Sequence, residues 1–166
     1  MHRPARLRAA ALAAVGLVVV LAGPARPIPA LTVTDEAGRR RWLVPVEEGS
    51  SVILEYVNSI WGAPTWERFV VRSGRLALVE VASTAEAVLE YHRLPAPYRR
   101  QHGRLAAPVT GVALDAFTLR VGERGRPLLH VDGRTLPLYD AGVGTGLRVE
   151  VQRLPRLQLW LAGGRR

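Results

Sequence analysis

The chain contains no cysteine, which removes disulfides and thiolate metal ligands from the possibilities. At 166 residues it can bury enough apolar surface to fold without covalent staples, so the missing thiols do not argue against an oxidising compartment. Lysine is missing as well: all 23 basic residues are arginine, a pattern of GC-rich coding more than of a selected arginine surface. Aromatic residues make up only 6% of the chain, and the arginines are dispersed, with Arg39-Arg40-Arg41 and Arg99-Arg100 as adjacent groups in the body. Nucleic-acid modules concentrate their basic residues beside exposed aromatics. This distribution argues against nucleic acid as a partner and leaves a generally basic surface suited to anionic lipid or envelope glycans. No apolar run reaches the ~20 residues of a membrane-spanning helix.

What is present begins with a leader. Residues 1–30 carry the layout of a targeting segment: Arg3, Arg6 and Arg8 form a positive start, and an unbroken small-and-aliphatic run follows from Ala9 to Ala22. Gly23-Pro24-Ala25 then breaks the helix and offers small residues for a cut after Ala25. The order fits a signal peptide or an N-terminal membrane anchor, and either would place residues 31–166 beyond the inner membrane, in the periplasm or at the membrane's outer face. A cut after Ala25 leaves 20 arginines against 14 acids, a mature charge of about +6.

The rest of the chain is 48% hydrophobic over its whole length and rich in turn residues, with Gly 16 and Pro 12. Short apolar runs recur at roughly ten-residue spacing, the signature of an all-β sandwich or barrel. The expected strands are 31–34, 41–46, 51–58, 66–72, 75–81, 116–121, 127–131, 135–138, 147–153 and 156–161. Several alternate cleanly: Val52, Leu54 and Tyr56 share one face, as do Leu147, Val149 and Val151. Asp132-Gly133, Ser73-Gly74 and Glu123-Arg124-Gly125 read as hairpin turns, predicting a meander-rich antiparallel domain of about 8–10 short strands. One short helix is expected near 84–92, opened by a capping box of Ser83 and Glu86 and ended by Pro95 and Pro97. Residues 92–107 read as a long irregular connection.

Candidate sites are few. Gly142-Val143-Gly144-Thr145-Gly146 leads into a strand and lacks a Walker lysine, so it reads as a tight connection needing positive φ, not as a phosphate loop. His92, His102 and His130 show no zinc-ligand spacing; Glu86, Glu90, His92 and His102 could converge but read as solvated loop residues, so neither metal nor cofactor is expected. Ser59 lacks a nucleophile elbow, because no helix follows it. The most distinctive stretch is 54–69, where two strands flank a loop containing Asn58, Ser59, Trp61, Gly62 and Pro64. Glu67 shares the period-two face of Phe69 and Val71, so an inward face would bury its carboxylate and demand donors, for which Tyr56 and Ser59 are placed. Such a cluster is either a structural corner or a ligand-facing polar group.

A strand ending in Tyr-x-Asn-Ser, a hydrophobic loop closed by Pro64, and Glu67 shortly after it resemble the small exported bacterial proteins of the domain-of-unknown-function family DUF eighteen-fifty. The 89–94 stretch and a valine-rich closing strand ending Arg153-Leu154-Pro155 add to the likeness. By position, the family-marking residues would be Tyr56, Asn58, Ser59, Pro64 and Glu67, with Asn58 standing where many relatives have His. The resemblance implies association with TAXI-type TRAP transporters, which take up small organic acids with an extracytoplasmic binding protein. The expected function is therefore a non-enzymatic accessory protein binding the transporter's membrane subunit, its binding protein, or a small ligand. The alternatives are an envelope hydrolase using Ser59 and Glu67 and a purely structural envelope domain. An export reporter fused after Ala30 should be active only outside the cytoplasm; activity inside would remove this context.

Overall fold

The computed structural model describes residues 27–163. Most of the expected leader therefore lies outside the described residues, and the first strand opens at Pro27, ahead of the expected start at Leu31. Residues Pro29–Gln152 form one compact unit, while Arg153 onward belongs to a second. The first unit is an all-β sandwich of antiparallel strands.

The strands are β1 (Pro27–Asp35), β2 (Arg40–Pro45), β3 (Ser51–Asn58), β4 (Ala63–Arg72), β5 (Arg75–Ser83), β6 (Arg99–Gln101), β7 (Arg104–Leu114), β8 (Ala116–Arg120), β9 (Leu128–Val131), β10 (Arg134–Pro137) and β11 (Gly146–Pro155). A short helix α1 (Glu86–Tyr91) follows β5, a 3-10 turn (Leu138–Ala141) follows β10, and α2 (Arg156–Gly163) follows β11. One sheet runs β2-β1-β11-β8 and the other β10-β9-β3-β4-β5-β7-β6. Alternation explains the layering. Val52, Leu54, Phe69, Val71, Leu129 and Val131 of the larger sheet meet Leu31, Val33, Val44, Leu147 and Val149 of the smaller in one buried cluster. Phe69 and Phe117 join the two faces directly, stacked with ring centroids 5.1 Å apart.

The hairpins at Ser73-Gly74 and Asp132-Gly133 are as expected. Asp132 and Gly133 both hold positive φ, 44° and 82°, the backbone that a two-residue turn matching strand twist requires.

Four expectations fail, each for a physical reason. The segment after Val121 does not make a hairpin: β8 pairs with β11 in one sheet and β9 with β3 in the other, so residues 122–127 carry the chain between sheets. Turn-forming composition cannot distinguish a reversal within a sheet from a crossing to another. The long connection contains β6 and the start of β7, the longest strand among the described residues. Pro108 and Gly111 mask β7 in the sequence. Between Leu78↔Val112 and Glu80↔Pro108 the register advances two residues on β5 and four on β7, a bulge that contains Gly111 at φ 76°.

Residues 156–161 form the start of α2 rather than a strand. Leucine, glutamine, arginine and alanine favour helix, no β-branched residue opposes it, and alternation over six positions is too short to decide. Finally, Ser83 ends β5 and does not cap α1: the cap position is Ala85, without a side-chain bond, while the Ser83 hydroxyl donates to the Pro64 carbonyl at 2.9 Å.

Asp35 closes β1, and its carboxylate accepts from the Ala37 and Arg39 amides at 3.0 Å and from Arg39 Nε at 2.9 Å. Burial pushes its pKa up, but the Arg39 amide and guanidinium and the Ala37 amide outweigh burial and hold it below the ordinary 3.8. A depressed carboxyl adds stability that is present above pH 3.8 and lost as pH falls through the folded value. Acid unfolding followed by circular dichroism should show this: Asp35→Asn lowers stability near neutrality and flattens the part of the acid limb below that pH.

Candidate functional site

Along the inner face of β3 the side chains run from apolar to polar: Val52, Leu54, Tyr56, Asn58. β4 runs alongside in register, with Leu54 opposite Glu67 and Tyr56 opposite Thr65. Tyr56 and Glu67 are therefore diagonal neighbours on one face, within reach of a long side chain. The Tyr56 hydroxyl donates to Glu67 Oε1 at 2.8 Å. The carboxylate lies mostly out of water, with its side chain 18% exposed, and His92 Nε2 from the end of α1 stands 3.8 Å from the same oxygen.

The two sheets do not close over this end. Between the β3–β4 face and β8, the edge strand of the smaller sheet, lies a cavity of about 590 Å³. Its walls include Leu54, Tyr56 and Glu67 on one side and Phe117, Leu119 and the 122–127 crossing on the other. The crossing is held to β3 by a bond from the Val57 amide to the Gly125 carbonyl at 2.9 Å. Asn58 and Ser59 also line the cavity.

The five residues named from the sequence thus divide. Tyr56 and Glu67 form the bonded pair in the wall. Asn58 is a scaffold: its Oδ1 accepts from the Ile60 amide at 3.0 Å and the Trp61 amide at 3.4 Å, and its carbonyl accepts from Gly62 at 2.8 Å. Pro64 is exposed and away from the cavity; its carbonyl takes the Ser83 hydroxyl at 2.9 Å and the Thr84 amide at 3.2 Å, tying the loop to the end of β5. Ser59 is exposed at the cavity wall and makes no bond to Glu67, contrary to the expected donor role.

His92, Phe117, Leu119 and the crossing were not legible as site residues. Only the pairing of β8 with β11, distant in sequence, brings Phe117 and Leu119 over Glu67. Beside the site, the rings of Trp61 and Tyr91 meet edge to face at 5.4 Å, and Ile60 and Tyr91 are 66% and 64% exposed. Among the described residues, Glu86, Glu90, His92 and His102 are not gathered into a metal-ligand group. The Gly142–Gly146 run behaves as a connection, with Gly142 and Gly144 at φ 96° and 84° and Thr145 Oγ1 donating to the Ala141 carbonyl at 3.0 Å.

No protein-family model matches the chain, and no curated protein or solved structure does.

Burial raises the Tyr56 phenol well above its ordinary 10, and the adjacent Glu67 carboxylate adds to the shift by charge and by accepting its proton in a hydrogen bond. A raised phenol contributes stability that is complete below pH 10 and is lost as pH rises toward the folded value. Ultraviolet phenolate titration of the native protein should leave Tyr56 unionised until the fold opens in alkali. Tyr56→Phe should remove that late step and lower stability by about 1.5–3 kcal/mol, the worth of a hydrogen bond to a charged group.

Proposed function

We propose that the chain is a non-enzymatic accessory protein of a TRAP-type (TAXI) solute uptake system, working outside the cytoplasm at the outer face of the inner membrane. It engages the transporter's membrane subunit, its extracytoplasmic binding protein, or a small ligand. The observation that carries this reading is the cavity. Of the motif that suggests the transporter context, Tyr56, Asn58, Ser59 and Glu67 line one recess, and Asn58 and Pro64 anchor the loop at its mouth.

Binding is favoured over hydrolysis by the partner Glu67 keeps: it accepts the Tyr56 hydroxyl and makes no bond to Ser59, whose hydroxyl is left without a bonded base.

Affinity capture from membranes, with mass spectrometry of bound proteins and small molecules, tests the proposal. Recovery of a transporter subunit or its binding protein with wild type, lost with Glu67→Gln, is the expected result. Glu67→Gln retains an oxygen for Tyr56 and should change stability by less than about 1 kcal/mol. Ser59→Ala should likewise fold normally while uptake falls. Stability lost with uptake intact would make the cluster a structural corner, and turnover abolished by Ser59→Ala would restore the hydrolase reading.

A further inference from the structure

Glu67 presents an asymmetric carboxylate. Oε1 receives the Tyr56 hydroxyl at 2.8 Å and faces His92 at 3.8 Å. Oε2 receives no donor from the described residues, yet no buried side-chain oxygen or nitrogen among them is left without a partner. Oε2 is therefore accessible, and Glu67 lines the cavity.

The other charges around the recess cancel. Arg120 is paired with Glu36 at 2.8 Å and also donates to the Gly144 carbonyl. Glu123 and Arg124 are adjacent, opposite in sign and exposed on the rim. What remains inside is one negative charge with an open acceptor, against the apolar surfaces of Leu54, Phe117, Leu119 and Pro127. In such a setting a second anion meets repulsion at reduced dielectric, while a donor cation supplies the hydrogen bond the carboxylate lacks.

We infer that the recess binds a small organic cation, a primary ammonium on an apolar or aromatic body, with the ammonium on Glu67 Oε2 and the body against Phe117 and Leu119. At about 590 Å³ the recess matches the size of a small-molecule site. This inference rests on the reading of the recess as a ligand site and reverses the ligand charge that an organic-acid transporter suggests: the acid would be the transporter's cargo, and the cation this domain's own ligand.

The test uses three probes that share a phenyl ring on a three-carbon chain, 3-phenylpropan-1-ammonium, 3-phenylpropan-1-ol and 3-phenylpropanoate, titrated into the full chain by calorimetry or NMR. The titrations are repeated with His92→Gln, which removes the imidazole that faces Oε1 as a source of compensating charge. The ammonium should bind at least ten-fold more tightly than the alcohol, the carboxylate should bind worst, and Glu67→Gln should erase the preference. Leu119→Trp, which fills the recess from the opposite wall without touching Glu67, should weaken every probe. Should Glu67→Gln fail to fold, the ranking in the wild type still decides. A carboxylate that binds best, or an alcohol that equals the ammonium, overturns the cation inference while the ligand site stands. No binding by any probe at millimolar concentration overturns both.

Discussion

A carboxylate on the inner face of a β-sandwich limits how closely the second sheet can approach. Glu67 precedes Phe69 and Val71 in period-two order, so the pleat that buries those two side chains turns Glu67 toward the same interior. An ionised carboxyl there must keep either donors or water, because leaving it bare would cost more than most single packing contacts return. Tyr56 supplies one donor across the β3–β4 ladder, and access to the recess leaves Oε2 open. Sheet closure in the middle and opening at one end are therefore a consequence of where one acid stands in an alternating strand.

The stacked pair Phe69–Phe117 marks the transition between the two regimes. Below it the inner faces are aliphatic and pack to full burial around Val52, Val71, Val131 and Val149. Beyond it the same strand faces carry Tyr56, Thr65 and Glu67, and the smaller sheet responds with its edge strand β8 and a crossing segment in place of a packed face. A crossing can bridge the sheets here because Val57, on the outer side of β3 near its end, still has an amide to give to Gly125.

Local periodicity and turn chemistry explain how much was readable from the residues alone. β3 was legible to its last residue, since alternation over eight positions and a polar finish at Asn58 leave little freedom. The Tyr56–Glu67 contact was legible for the same reason: both residues lie in one predicted hairpin, and a diagonal pair follows from its register. His92, Phe117 and Leu119 were not, because their approach depends on sheet order. β8 pairs with β11, and nothing in 116–121 distinguishes that partner from β9, its neighbour in sequence. β7 was hidden by a bulge whose proline and glycine are the residues that elsewhere end strands. The failure at 156–161 is of another kind, since leucine at every second position over so short a span is compatible with either period.

The division of labour within the motif bears on what each position can do. Asn58 is almost fully buried, and its amide oxygen accepts from two successive backbone amides, the work of a turn-holding side chain. A proton-transfer role is not needed to account for the residue there. The titratable chemistry of the recess lies instead in Glu67 and its neighbours Tyr56 and His92, where one carboxylate oxygen is committed to the fold and the other is not. A group shared in this way couples ligand occupancy to the β3–β4 ladder: whatever binds Oε2 also shifts the charge that the Tyr56 hydroxyl and the end of α1 are arranged around.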